Sequence, residues 1–233
     1  MSGYAKRLIH AVFPPLCVFC GVGHRGGPIC RQCNAALPWI NIVCEHCGQS
    51  LPATQPAGVV CADCQAKPPA FTKARAPCTY DFPLDAALKA LKFNRRLWYV
   101  PALAGILLPV LEQEFSECDA LVPVPLHRVR HALRGFNQAT ELCRPLRRAT
   151  GLPVLQHAYR HRATRSQAGL TAAERNRNVR NAFGVKGGTC CRYPLIVDDV
   201  ITTGATCAQL ATTLLHAGAE KVGVLTVARV QPG

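Results

Sequence analysis

The sequence predicts an α/β protein: a parallel sheet with helices on both faces, preceded by a small metal-binding module. Three observations carry that expectation. Four Cys-x-x-Cys pairs precede residue 65. Beyond residue 75, apolar strand-like runs alternate with helix-period segments, the pattern of a doubly wound sheet. The run Pro194-Leu195-Ile196-Val197-Asp198-Asp199-Val200-Ile201-Thr202-Thr203-Gly204-Ala205-Thr206 joins a buried strand, two acids, a small polar turn and a helix start.

The cysteine pairs are Cys17/Cys20, Cys30/Cys33, Cys44/Cys47 and Cys61/Cys64. Gly21 and Gly48 follow the first and third pairs, so one unit occurs twice, over 17–33 and 44–64. Two thiolates three residues apart hold an ion from one tight turn, and two such turns complete a tetrahedral site. Sequential pairing around two structural zinc ions is expected; a cross-braced pairing and a single occupied site stay open. A redox dithiol would follow a strand and open a helix, whereas these cysteines sit among Pro, Gly and polar residues. The module has few apolar residues of its own, so metal would supply its folding free energy. Cys78, Cys118, Cys143, Cys190, Cys191 and Cys207 lack ligand spacing and are expected to pack. Only Arg25, Arg31, Lys67, Lys73 and Arg75 bring positive charge near the module. The choice between a scaffold and a DNA contact therefore stays open.

The chain has 233 residues, 49% hydrophobic and 17% charged, enough for one large folded domain beside the module. No window approaches the ~20 apolar residues that span a bilayer. Lys6-Arg7 followed by Leu8 to Leu16 imitates a short signal peptide, but Pro14-Pro15 and Cys17 follow at once with no small-residue cleavage site. A short amphipathic helix against the first metal site and a cytoplasmic protein are expected. The net charge of +14 is uneven: 128–180 holds twelve Arg, no Lys and two acids, Glu141 and Glu174. Guanidinium groups grip phosphate in a bidentate way, so pyrophosphate and nucleic acid are the expected partners of that stretch.

Along the second part, Lys67-Pro68-Pro69 reads as a linker, and the domain is expected to begin near Arg75. Leu84, Ala87, Leu88, Leu91 and Lys92 mark a first helix, and 100–114 a second. Residues 119–125 form a buried strand whose two prolines place its end at a loop. Helical periodicity returns over 137–149 and stops at Gly151; 153–159 reads as a further strand. Residues 195–198 are the strand of the acidic run, 205–216 its helix, and 222–230 a last apolar strand.

The acidic run fits a sugar phosphate. Thr202, Thr203 and Thr206 offer hydroxyls, Gly204 lets the backbone approach, and the first N–H groups of the helix face an anion. Asp198 and Asp199 repel phosphate but accept hydrogen bonds from ribose hydroxyls, with a hard cation nearby. The run resembles the signature by which type I phosphoribosyltransferases bind phosphoribosyl pyrophosphate (PRPP).

Three further segments narrow the resemblance. They are Val122-Pro123-Val124-Pro125-Leu126-His127, Arg134-Gly135-Phe136-Asn137-Gln138-Ala139, and Arg160-x-Arg162-x-Thr164-x-x-Gln167 with Glu174-Arg175-Asn176. Together with the cysteine module they resemble the ComF family of phosphoribosyltransferase-like competence proteins. The resemblance implies a double zinc ribbon over 1–74 and a type I phosphoribosyltransferase-like domain over 75–233. It implies that Asp198 and Asp199 bind ribose, and that Thr202, Thr203, Gly204, Ala205 and Thr206 cradle the 5′-phosphate. It makes 125–134 a pyrophosphate loop with Arg128 and Arg134 as contacts, and 162–170 a flexible loop carrying Arg165 and Gln167. Mg²⁺ would accompany PRPP, and single-stranded DNA and DNA-uptake proteins would be partners.

Two classes of function follow: a Mg-dependent phosphoribosyl transferase with an acceptor the sequence does not reveal, or a PRPP-responsive DNA-binding protein. A salvage transferase unrelated to DNA uptake is the further alternative, and the ribbons as a docking surface a third class. Asn137 and Gln138 read equally well as internal braces. Phe136, Tyr159 and Phe183 lie near the Arg-rich stretch, with Phe136 expected to pack rather than stack on bases.

Overall fold

A computed structural model describes residues 15–161, 182–188 and 191–231. The expected helix over 8–16 lies almost entirely outside them. The Cys-rich part is two copies of one structural unit. In each, a knuckle closes through a glycine at positive φ: Gly21 N–H donates to Cys17 O and Gly48 N–H to Cys44 O. A short helix then follows the third cysteine: α1, Arg31–Ala35, begins after Cys30 and α2, Ala62–Ala66, after Cys61.

The rest is built on a parallel sheet. Its strands are β1 (Lys73–Arg75), β2 (Cys78–Thr79), β3 (Ala120–Pro123), β6 (Pro194–Ile201) and β7 (Gly223–Arg229). The spatial order is β1-β7-β6-β3, with β2 also on β7, so β6 is central. Helices α3 (Leu84–Asn94), α4 (Val100–Glu114), α5 (Arg128–Arg134), α6 (Gln138–Thr150) and α7 (Ala205–His216) connect and cover it. Strand alternation feeds two cores. Leu195, Val197 and Leu225 pack with Leu103 and Leu107 of α4 and Leu142 and Leu146 of α6. Ile196 and Val224 turn the other way and pack with Leu210 and Leu214 of α7. A β4–β5 hairpin (Ala158–Arg160 with Phe183–Val185) stands apart from the main sheet.

Four local features differ from the sequence reading. β6 runs to Ile201 rather than stopping at Asp198, because Val200 and Ile201 still pair with Ala228 and Arg229. The expected strand over 153–159 divides: Val154 makes one parallel bridge to Leu121, and the remainder belongs to the hairpin. β1 begins at Lys73, astride the expected boundary. The segment read as a loop through Arg134 holds the helix α5, which His127 caps by accepting from Val129 N–H and Gly135 ends in the left-handed conformation.

Candidate functional site

The acid pair stands in the last half of the central strand. Asp199 is 3% exposed, and its Oδ2 lies 2.7 Å from Lys92 Nζ of α3. Burial opposes the charge on Lys92, but Asp199 and then Asp198 outweigh it and hold the ammonium protonated. Asp198 is half-buried. Burial first, and the Asp199 charge second, push its carboxyl up to about 8, with Lys92 pulling the other way.

Two arginines complete the ring of charge. Arg134, at the end of α5, donates to Gln138 Oε1 at 3.2 Å and covers the Phe93 ring at 5.4 Å. Burial weakens its hold on the proton while Asp199 and Asp198 strengthen it. Arg160 of β4 is 7% exposed, and Asp198 is the acid that acts on it. Lys92 thus pairs with Asp199, while Arg134 and Arg160, from two further elements, lie within electrostatic reach of the two carboxylates. An anion placed here meets cations, and hydroxyl groups beside it meet carboxylate acceptors.

After β6 the chain turns through Thr202 and Thr203 into Gly204, whose φ of 77° lies in the left-handed region. Gly204 is the N-cap of α7, and Thr203 Oγ1 accepts from Ala205 N–H at 3.4 Å. Gly204 and Ala205 are buried while the side chain of Thr203 is exposed. The loop therefore presents a hydroxyl and helix-start amides on the side of the acid pair where β6 ends.

Lys92 and Arg160 were not singled out as site residues by sequence reasoning. Lys92 carried a readable signal: it shares the helical phase of the buried Leu88, one turn earlier, where a lysine is out of place. Arg160 opens the family-like segment Arg160-x-Arg162, but nothing in the sequence placed it near the acids, since its burial comes with the pairing of β4 and β5. Of the expected pyrophosphate contacts, Arg134 faces the acids. Arg128, six residues earlier at the other end of α5, lines the cavity between α5 and the β4–β5 pair, as Arg160 does. Asn137 is a brace: it caps α6 through Ala139 N–H and donates to Val124 O at 2.9 Å. Gln138 is buried, and Phe136 packs in the core. Arg165 and Gln167 lie outside the described residues.

The eight expected ligand cysteines fall into two groups, Cys17, Cys20, Cys30, Cys33 and Cys44, Cys47, Cys61, Cys64, each with sulfurs within 4.8 Å of one another. Cys20 and Cys30 sulfurs are 3.9 Å apart and those of Cys47 and Cys61 3.8 Å apart. Zn–S bonds of about 2.3 Å place tetrahedral sulfurs about 3.8 Å apart, so both sets fit zinc. Burial opposes ionisation of Cys17 and Cys44. Amides of Cys30, Cys20 and Phe19 nonetheless bring Cys17 down to about 6, and those of Cys61, Cys47 and His46 bring Cys44 to about 7. The first cysteine of each unit is thus prepared as a thiolate by equivalent neighbours.

The chain is 38% identical over 226 residues to the DNA utilization protein YhgH of Escherichia coli (strain K12), covering 93% of this chain and 97% of that protein. It is 32% identical over 209 residues to Competence protein F of Haemophilus influenzae, covering 86% of this chain and 88% of the relative. The chain belongs to the ComF family. Its residues 8–65 match the family model described as a double zinc ribbon domain. Among solved structures, orotate phosphoribosyltransferase from Aeropyrum pernix overlaps 54% of this ComF-family chain and 56% of its own, at 21% identity and a TM-score of 0.33. No helix among the described residues is long and apolar enough to cross a membrane.

Proposed function

We propose that this ComF-family protein binds PRPP at the C-terminal end of β6 and serves in DNA uptake or utilization, with two structural zinc ions in its ribbons. One observation carries the reading: the acid pair, the Thr202–Thr206 turn, the left-handed Gly204 and the start of the 12-residue α7 follow one another on the central strand of a parallel sheet. That is where an open α/β sheet binds its ligands. Thr202, Thr203, Thr206 and the amides of Gly204 and Ala205 hold the 5′-phosphate. Asp198, with Asp199 behind it, accepts from the ribose hydroxyls. Lys92 and Arg134 face the pyrophosphate.

The oxygen donors here suit a hard cation brought with the substrate. Asp198 would hold the Mg²⁺ that accompanies PRPP, and the ion would supply neutralisation of the pyrophosphate charge. In a transfer, the bond from C1′ to the pyrophosphate oxygen breaks and the electron pair leaves with pyrophosphate. The acceptor nitrogen then forms the C1′–N bond and gives up its proton. The side chains of this protein position the donor and stabilise the leaving charge; no nucleophilic residue is required.

A second reading, a PRPP-responsive single-stranded DNA-binding protein, is favoured by an aromatic surface that the sequence did not group. Phe93 and Trp98 are 68% and 55% exposed, and arginines cover both rings: Arg134 on Phe93 at 5.4 Å and Arg96 on Trp98 at 5.0 Å. Exposed rings interleaved with guanidinium groups are what unstacked bases rest on. The two readings separate in a pyrophosphate-release assay with zinc-loaded protein, Mg-PRPP, and a pool of nucleobases, ammonia and single-stranded DNA. Release that vanishes in Asp198→Ala/Asp199→Ala identifies a transferase. PRPP binding without release supports the DNA-binding reading, and neither binding nor release contradicts both.

A further inference from the structure

We infer that the open face of α3 is a self-association surface, on which a second copy of this chain docks its own α3 in the antiparallel sense. The inference rests on the fold and does not depend on the PRPP reading. One side of α3 is buried, with Leu84, Leu88 and Leu91 packed in the core. The other side is open. Ala86, Lys89 and Phe93 are exposed and follow one another at helical spacing, so they form one stripe. Phe82, just before the helix, is 81% exposed, and Phe93, near its end, is 68% exposed. Single exposed rings are ordinary on a protein surface. Two rings at the ends of one open helix face, with an alanine between them, mark a contact surface.

The charges on this face select its occupant. Asp81 is exposed at the start of the face, and Arg95 and Arg96 are exposed just past its end. None of the three enters an ion pair among the described residues. Lys89, between them, pairs with Asp85 of its own helix at 2.7 Å. The face thus carries an acid at one end, bases at the other and a phenylalanine at each. Its complement is the same face reversed. A two-fold axis across the middle of α3 brings Asp81 of each copy to Arg95 and Arg96 of the other, and Phe82 to Phe93. Ala86 lets the two helices approach between the rings. A parallel arrangement sets acid on acid and arginine on arginine, and is repelled. A nucleic-acid strand satisfies only the basic end and is repelled by Asp81, so a second copy uses more of the face than DNA does. The contact reaches the acid-pair site, because Phe82 of the second copy packs on Phe93, the ring that Arg134 covers at 5.4 Å. Four rings bury on the order of 600 Å². That is small for a permanent interface, so a reversible dimer forming at micromolar concentrations is expected.

The test is sedimentation equilibrium of the zinc-loaded full-length protein over a concentration series. A monomer–dimer equilibrium is expected. Phe82→Ala and Phe93→Ala are each expected to weaken it about tenfold or more. Charge reversal tests the antiparallel sense. Asp81→Arg alone and Arg95→Asp/Arg96→Asp alone are each expected to be monomeric. An equimolar mixture of the two is expected to restore the dimer, since opposite signs then meet at both ends. Phe82→Ala, which alters a side chain that packs in no core, carries the test if a charge-reversed chain misfolds. A protein that stays monomeric at every concentration overturns the inference, as does a dimer that neither phenylalanine variant weakens. A mixture of the folded charge-reversed chains that stays monomeric overturns the antiparallel docking. Loss of single-stranded DNA binding in Phe93→Ala, with the unaltered protein monomeric, overturns it too and assigns the face to DNA.

Discussion

At the scale of single residues, Asp198 and Lys92 set the electrostatics of the acid pair. Ligand-free Asp198 holds its proton to about pH 8, chiefly because it is desolvated and stands next to Asp199. PRPP requires the ionised form as acceptor. Binding below pH 8 therefore expels a proton, and Mg-PRPP affinity is expected to rise from pH 6 to about pH 8.5 and then level off. Titration calorimetry in two buffers of different ionisation heat checks both the slope and the proton release; affinity that stays flat between pH 6 and pH 8.5 would contradict it. The same shift acts on stability with the opposite sense. The folded pKa lies above the ordinary value of 3.8, so the ligand-free fold loses stability as pH rises from about 4 to 8.

Lys92→Gln leaves the buried Asp199 carboxylate without its 2.7 Å partner. A broken buried pair costs about 3 kcal/mol, so a fall in unfolding free energy of that order is expected by denaturant titration, with Lys92→Arg restoring part of it. Asp198 and Asp199 were legible because an unbroken motif carries them. Lys92 was half-legible through its phase on α3. Arg160 was legible only as part of a family-like segment; its burial against β5 and beside His127 was not.

Among elements, those with strong periodicity were read correctly: the boundaries of α4 and α7 in the structure are those the apolar pattern gives. α5 was missed because it buries none of its side chains and so shows no apolar stripe, although His127 and Gly135 cap its ends. β1 was missed for a different reason. Arg75 sits in the strand because Glu45 takes its Nη2 at 2.6 Å and Glu114 its Nε at 3.3 Å, a compensation visible only once the ribbon and α4 are in place. The turn before α7 offers a clean test of an element. Gly204 has φ 77°, and a Cβ there costs about 1 kcal/mol in strain without a clash, its nearest neighbour being Ile201 Cδ1 at 3.6 Å. Gly204→Ala is expected to fold, to lose about that much stability in thermal unfolding, and to bind Mg-PRPP at least tenfold more weakly. Unchanged affinity would remove the Gly204 turn from the binding account.

Across the whole molecule, the second ribbon is joined to the sheet rather than tethered beside it. Ala74 N–H donates to His46 O at 2.7 Å, Arg75 to Glu45, and Arg229 Nη1 to Cys47 O at 2.8 Å. Gly48 lies so close to β1 that a Cβ would fall 2.5 Å from Ala74 O. Arg229 in turn pairs with Ile201, immediately before the Thr202–Thr206 turn. Metal removal is therefore expected to reach the sheet. Chelation should lower the unfolding temperature of the entire chain in a single calorimetric transition and weaken Mg-PRPP binding. Two independent transitions, with the larger unmoved, would show the ribbons to be a separate module. The parallel sheet and the paired-cysteine units were legible at this scale because each has a periodic or spaced signature. The joint between them was not, because it is made of main-chain carbonyls, Glu45 and the basic side chains of Lys73, Arg75 and Arg229, with no pattern of their own.

The proposed function rests on PRPP binding at the β6–α7 turn and its acid pair. Equilibrium titration of the zinc-loaded protein with Mg-PRPP, in parallel with Asp198→Asn and Gly204→Ala, tests it most directly. Saturable one-to-one binding is expected, abolished in Asp198→Asn and weakened at least tenfold in Gly204→Ala. Binding of equal strength in all three proteins, or none in the unaltered one, would contradict it.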